Sequence, residues 1–184
     1  MDPVRIIEGP VSVLDRTDVD TDQIIPKQFL KRIERTGYAE FLFFDWMRSG
    51  EISLTPAPIL VAGRNFGCGS SREHAVWAIQ QFGFRAVVAP SFSDIFYANC
   101  TKNGLLPLVL SEDAVRALMA AGSARVDLPA QTVGFGGRTE PFEIDADVKR
   151  RLVEGLDEIA LTLQHEDEIT AYERARAWPS PSTV

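Results

Sequence analysis

With 184 residues, 45% of them apolar and 24% charged, the chain has the composition of one soluble globular domain long enough to bury a core. A net charge of −7 with no basic stripe argues against nucleic-acid binding, and no apolar run approaches the ~20 residues of a membrane span. The start, Met1-Asp-Pro-Val-Arg-Ile-Ile7, lacks a basic stretch ahead of a long apolar core, so no secretory signal and a cytoplasmic location are expected.

From the N-terminus, apolar runs predict strands over residues 4–7 and 11–14. A polar turn, Asp18-Val-Asp-Thr-Asp22, and the stretch Phe29-Leu-Lys-Arg32 follow. A helix is predicted over 38–47, a short apolar strand over 59–62, and a helix over 72–82. In that helix Ala75, Val76, Ala78, Ile79 and Phe82 share one face. Next come a strand over 86–89, a helix over 94–103 stopped by Gly104, and a strand over 106–110. Ser111 caps a helix over 112–121 that Gly122 ends, and strands are predicted over 125–128 and 140–144. Asp145 caps the first of two helices near the C-terminus. Residues 143–174 hold ten acidic and four basic side chains, read as a solvated helical surface. Pattern alone establishes an α/β domain.

Chemistry concentrates in Gly63-Arg-Asn-Phe-Gly-Cys-Gly-Ser-Ser-Arg-Glu-His74, which joins the strand at 59–62 to the helix at 72–82. Gly67 and Gly69 allow backbone conformations closed to other residues and let a ligand come close. The first N–H groups of a helix lack intrahelical partners, and the dipole favours an anion there. Ser70, Ser71 and Arg72 sit at that spot, suited to a carboxylate or phosphate. The plainer alternative is that Ser70 or Ser71 caps the helix, with Glu73 or His74 helping. The Walker and dinucleotide loops both fail: no Gly-Lys-Ser/Thr is present, and Arg72 stands where the last glycine should be. Cys68 and Cys100, with His74 and His165, provide neither a zinc spacing nor the three or four thiolates of a cluster site, so no metal site is expected.

Gly67-Cys-Gly-Ser-Ser-Arg-Glu-His-Ala75 resembles the active-site loop of the swivel domain of the aconitase superfamily. Three further stretches narrow the resemblance. They are Asp18-Val-Asp-Thr-Asp-Gln-Ile-Ile-Pro26 with Phe29-Leu-Lys-Arg32, then Pro90-Ser-Phe-Ser-Asp-Ile-Phe-Tyr-Ala-Asn-Cys-Thr-Lys-Asn-Gly-Leu-Leu-Pro107, and Gly155-Leu-Asp-Glu-Ile-Ala-Leu-Thr-Leu-Gln-His165. The last is similar to the C-terminal signature of bacterial 3-isopropylmalate dehydratase small subunits.

The resemblance implies an aconitase-like swivelling β/β/α three-layer domain over 1–175 with a loose tail at 176–184. It implies a hydro-lyase that interconverts 2- and 3-isopropylmalate through 2-isopropylmaleate in leucine biosynthesis. The enzyme would be active only with a large subunit that carries an iron–sulfur cluster (4Fe-4S), no cofactor being bound by this chain. Ser70 is then the catalytic base, and Ser71, Arg72 and Arg64 bind the small dicarboxylate substrate. Leu30, Lys31 and Arg32 form a recognition loop, Leu30 suiting an isopropyl group and Lys31 and Arg32 a carboxylate. Gly67, Gly69, Glu73, His74, Thr21 and Asp22 play supporting parts; a structural role is the alternative for His74, an ordinary salt bridge for Arg72, and an ordinary loop arginine for Arg64. Homoaconitase or methylmalate-type small subunits, or a non-catalytic anion-binding assembly module, stay open as alternatives.

Overall fold

The computed structural model describes residues 1–32 and 34–176; the expected tail lies outside the described residues apart from Arg176. In chain order the elements are β1 (Ile6–Leu14), α1 (Thr21–Ile24), α2 (Phe44–Ser49), β2 (Ile59–Ala62), α3 (Glu73–Phe82), β3 (Ala86–Ala89), α4 (Asp94–Asn103), β4 (Leu106–Val109) and α5 (Glu112–Ala121). A β-meander follows, β5 (Ser123–Asp127), β6 (Thr132–Phe135) and β7 (Arg138–Pro141), and then α6 (Ala146–Glu154), α7 (Glu158–Leu163) and α8 (Glu166–Ala175). The seven strands make one curled sheet in the order β4-β3-β2-β1-β5-β6-β7.

The sheet changes character at β1. Its first half, Ile6 to Pro10, pairs antiparallel with β5, while Val11 to Leu14 pairs parallel with β2. Two strands were expected here, divided at Gly9-Pro10; the structure has one continuous strand. Each half of β1 has a ladder on one side only, the edge-like setting that tolerates proline.

Strands β2 and β3 are buried at every residue, which explains their uninterrupted apolar runs. Leu60, Ala62, Val87 and Ala89 enter a core shared with Ile24, Trp46, Ile79 and Phe96 of helices α1 to α4. Ile59, Val61, Ala86 and Val88 enter a second core shared with α5, Leu152 of α6, and Val126, Val133 and Phe135 of the antiparallel limb. The second face of the parallel strands is thus covered by α5 and α6 together with apolar residues of the curled sheet's own antiparallel limb, and the first face by α1 to α4.

Local differences from the predicted elements have local causes. The helix expected over 38–47 is broken into a 3-10 turn at Ala39–Phe41 and α2 at Phe44–Ser49. Phe43 between them adopts a left-handed conformation (φ 47°) and its N–H donates to the Ile24 carbonyl at 2.8 Å. Phe41 stacks on Phe29 at 4.0 Å and Phe43 on Trp46 at 5.7 Å, so ring packing overrides helical periodicity. The sequence reading missed β6, whose apolar signal is thin, and placed the following strand two to three residues late. The C-terminal region holds three helices, because Asp157 caps α7 separately. Among the described residues no helix is long and apolar enough to cross a membrane.

What the fold does for the chemistry lies at the C-terminal ends of β1, β2 and β3. Gly63 N–H donates to Arg16 O (2.9 Å), Asp18 N–H to Arg64 O (2.9 Å), and Gly67 N–H to Val19 O (2.8 Å). On the other side Phe66 N–H donates to Ser91 O (3.0 Å) and Ser93 N–H to Phe66 O (3.1 Å). Three loops from three adjacent parallel strands are therefore sewn together at the sheet's carboxyl edge, the usual place for a site in an open parallel sheet.

Candidate active site

The glycine-rich loop is the middle of the three. Gly67 has φ +76° and a Cβ added there would lie 2.1 Å from the Phe96 ring, so only glycine lets the loop pass over α4. Gly69 has φ +90°, with Asp20 and Thr21 atoms 3.4 Å from a would-be Cβ. Between these glycines the Cys68 carbonyl accepts from Thr21 N–H (2.9 Å), and the buried Thr21 hydroxyl donates to Ser70 O (2.9 Å). Thr21 thus holds the backbone on which the two serines stand. Asp20 caps α1 through a reciprocal capping box with Gln23, which stiffens Thr21's own support.

Ser93 fixes the loop from the opposite side. Its hydroxyl donates to Gly67 O at 2.5 Å and accepts from Phe96 N–H at 3.4 Å, capping α4. Sequence reading passed over Ser93, although a serine one residue before a helix is an N-cap signal. Ser93→Ala is expected to cost about 1–2 kcal/mol. A thermal midpoint unchanged in this variant would show that the loop is held without it.

Ser70 and Ser71 are solvent-exposed. Neither caps the helix: the N-cap position belongs to Arg72, which makes no side-chain cap bond, so α3 begins one residue later than expected. Among the described residues, no protein acceptor pairs with the N–H groups of Ser70, Ser71, Glu73 or His74, nor does the Ser70 hydroxyl have a partner. The Ser71 hydroxyl takes a long contact from Asn99 Nδ2 (3.5 Å). The turn therefore combines amide donors that have no protein acceptor among the described residues with two exposed serines, groups of the kind that stabilise a developing oxyanion when they converge on it.

Arg72 is only 9% exposed in its side chain, and its end-on fork is taken by the Asp22 carboxylate, with Nη2 to Oδ2 at 2.7 Å and Nη1 paired to Oδ1. Nη1 also reaches the Ile25 carbonyl at 3.5 Å. Of a guanidinium's five donors, Nε–H and one Nη2–H, which make up the side-on fork, have no protein acceptor among the described residues. Hydrogen bonds from Arg72 hold the Asp22 carboxyl below the usual carboxylate range. A lowered folded pKa means that the pair's stabilisation is present above the unfolded carboxyl value and lost as pH falls through the folded one. Because Asp22 is 54% exposed, Asp22→Asn is expected to cost only about 1–2 kcal/mol at neutral pH. The gap between wild type and variant should close in acid; a gap that persists at low pH would remove the ion pair as its cause.

The remaining candidates separate into two groups. Glu73 accepts from Asn103 Nδ2 (2.9 Å), and Asn103 in turn accepts from Trp77 Nε1 (3.0 Å), tying α3 to α4. His74 packs its ring against Tyr38 (5.5 Å) and Trp77 (4.8 Å), and burial pushes its pKa down. Leu30 and Lys31 belong to a 3-10 turn, Lys27–Lys31, that follows directly on the Arg72-bound segment. Leu30 is half-buried against the core. Lys31 and Arg64 are exposed, and among the described residues neither has an ion-pair partner within 4.0 Å. Arg32 differs: it pairs with Glu40 (3.5 Å), donates to Gly37 O (3.3 Å) and covers the Phe41 ring, so its charge is spent inside its own loop.

The donor set does not fit an iron–sulfur cluster. Such a cluster is held by three or four thiolates, whereas this chain has two cysteines. Cys100 is buried in the core, which pushes its thiol well up, and burial also raises Cys68.

Residues 1–113 match the aconitase C-terminal domain family, and residues 158–179 match the C-terminal domain family of 3-isopropylmalate dehydratase small subunits. A 3-isopropylmalate dehydratase small subunit from Halalkalibacterium halodurans is 53% identical over 96% of this chain and 100% of its own length. The same-named protein of Rubrobacter xylanophilus is 51% identical, over 96% of each chain. The crystal structure of a 3-isopropylmalate dehydratase from Methanocaldococcus jannaschii superposes with a TM-score of 0.71 at 30% identity, covering 91% of this chain and 99% of that one. The exposed serine pair on its glycine-pinned turn is thus set in a fold and a sequence shared along almost the whole length, and the chain belongs to the family of 3-isopropylmalate dehydratase small subunits.

Proposed function

We propose that this chain is the small subunit of a 3-isopropylmalate dehydratase, interconverting 2- and 3-isopropylmalate through 2-isopropylmaleate by loss and return of water, a step of leucine biosynthesis. The observation that carries this reading is identity of about half the residues over nearly the full length with small subunits of that name. Residues 1–175 act as one unit in it.

Ser70 is the base. As an alkoxide it takes the proton from the carbon beside a substrate carboxylate; the electron pair left behind forms the carbon–carbon double bond as the neighbouring hydroxyl departs. Return of water with the opposite regiochemistry gives the isomer. A serine is a very poor base in water, and the free N–H groups of the 70–74 turn, with the dipole of α3, are what favour its anion. Arg72, tied to Asp22 by one fork, grips a substrate carboxylate with its side-on fork, and Arg64 and Lys31, both exposed, are the further candidate cations. The Lewis acid required by the leaving hydroxyl is assigned to an iron–sulfur cluster on the large subunit, since this chain lacks the thiolates to hold one.

Ser70 stands on an exposed surface, so this chain alone does not exclude water from the reaction. The test is to mix the purified chain anaerobically with a cluster-loaded large subunit and follow the ultraviolet absorbance of 2-isopropylmaleate formed from 3-isopropylmalate. Activity is expected only in the mixture. Turnover of homoaconitate with none of isopropylmalate would reassign the substrate, and complex formation with no hydro-lyase activity at all would leave an assembly module. In the active pair, Arg72→Lys is expected to lower kcat/KM about 10–100-fold, because one ammonium cannot serve two carboxylates through two forks. An unchanged kcat/KM would refute the clamp.

A further inference from the structure

Residues 27–32 and 34–41, called the arch below, belong to the loop that follows α1, and two sets of hydrogen bonds tie this loop to the two ends of α3. At the near end, Arg72, the N-cap of α3, holds Asp22 and the Ile25 carbonyl immediately before the arch begins. At the far end is Gln81, in the last turn of the same helix. Its Oε1 accepts from Tyr38 N–H (2.8 Å) and its Nε2 donates to Arg35 O (2.7 Å). One carboxamide thus satisfies a donor and an acceptor of the arch's backbone, as a paired strand would. The Arg35 guanidinium lies over Trp77, one turn earlier on the helix (5.3 Å), and the Tyr38 ring packs on Trp77 at 5.6 Å. Helix α3 has ten residues, about 15 Å of rigid rod. It therefore sets the distance between the Ser70 turn and the Arg35–Tyr38 stretch that Gln81 holds.

Nothing about catalysis or core packing demands the carboxamide. Gln81 is solvent-exposed, and Tyr38 is buried by its own ring contacts. We infer that Gln81 is a positioning residue for substrate selection: it sets where the arch carries Leu30 and Lys31 relative to Ser70. The inference rests on the dehydratase reading above, since the arch has something to select only if a substrate lies between it and Ser70. Without Gln81 the near anchor at Arg72 persists, so the proton-transferring end of the site stays intact while the recognition end loosens.

The experiment uses the reconstituted two-subunit enzyme with Gln81→Leu, which removes both bonds, and Gln81→Glu, which keeps the acceptor for Tyr38 N–H and loses the donor. Amide hydrogen exchange at Tyr38 reads the clamp directly and should quicken in Gln81→Leu and less so in Gln81→Glu. Steady-state rates are compared for 3-isopropylmalate and 3-methylmalate. A hydrophobic pocket distinguishes ligands by roughly 10–200-fold per methylene, and a loosened arch forfeits part of that. The expected result for Gln81→Leu is KM for 3-isopropylmalate raised about fivefold, kcat within about twofold, and the preference over 3-methylmalate reduced about fivefold. Gln81→Glu should fall between wild type and Gln81→Leu. Unchanged exchange at Tyr38 would remove the clamp. Faster exchange with unchanged KM and preference, or a loss confined to kcat, would reduce Gln81 to a structural tie and overturn the inference. Failure of the dehydratase reading is seen separately, as inactivity of the wild-type pair on 3-isopropylmalate.

Discussion

Ser70→Ala in the reconstituted enzyme is expected to lower kcat about 10²–10⁴-fold, the range for loss of a positioned acid–base group, with KM changed much less. Three features make the variant a clean test. The Ser70 hydroxyl has no protein partner among the described residues, so its removal orphans no donor or acceptor. The residue is exposed, so no cavity opens. Its main-chain carbonyl, which the Thr21 hydroxyl bonds at 2.9 Å, is untouched by the substitution. The folded chain and its thermal midpoint should therefore be unaltered, and complex formation with the large subunit preserved. Full activity in Ser70→Ala would end the base assignment and move the search to Ser71, whose hydroxyl is the neighbouring candidate. A loss of the same size in Ser71→Ala, with Ser70→Ala mild, would exchange the two roles.

Gly67→Ala carries the largest expected effect on stability. The new Cβ would lie 2.1 Å from one Phe96 ring carbon and 2.6 Å from Phe96 Cβ, at a backbone φ of +76° that L residues rarely adopt. Neither side can yield easily. The Gly67 N–H is bonded to Val19 O and its carbonyl to the Ser93 hydroxyl, while Phe96 is buried and packed edge-on against Phe66 at 5.4 Å. Overpacking at about 1–3 kcal/mol adds to backbone strain at about 1–2 kcal/mol, so the loss is roughly 2–5 kcal/mol. For a chain of this size the midpoint should fall on the order of 10 °C. Gly69→Ala provides the contrast: its nearest neighbours would be at 3.4 Å, ordinary contact, leaving backbone strain of about 1–2 kcal/mol alone. Equal midpoints for the two alanine variants would mean that the close approach to Phe96 is not what makes glycine necessary at Gly67.

Both variants bear on one feature of the site, the division between residues that make the turn and residues that act from it. Gly67, Thr21 and Ser93 hold the backbone through buried or half-buried contacts and contribute no group that faces solvent. Ser70 and Ser71 do face it. Arg72 stands between the two sets, since one of its forks is tied to Asp22 and the other has no protein acceptor among the described residues. A substitution at Arg72 is therefore expected to disturb stability and turnover together, and the serine variants to separate them.

The local elements around the site were legible in the sequence because local rules govern them. The all-apolar strands β2 and β3 match their predicted limits, as do α4 and α5, with Ser111 and Asp145 as the caps and Gly104 and Gly122 as the stops. Each is set by periodicity, a side-chain cap or a left-handed glycine within a few residues. The glycine loop and its serine pair were equally visible, since their meaning lies in spacing along the chain. What was not visible depends on residues far apart in sequence. The break at Phe43 follows from its N–H bond to the Ile24 carbonyl and from the stacking of Phe41 on Phe29, and the unbroken β1 follows from a change of partner midway along the strand. Arg72's engagement by Asp22 and Gln81's hold on Tyr38 join residues 50 and 43 apart in sequence, and Arg32 meets Glu40 only when its own loop folds back on itself. By itself the sequence determined an α/β domain, its anion-suited turn and its family; tertiary structure decided which charges are free to meet a substrate, because pairing is a property of distance in space, and spacing along the chain does not encode it.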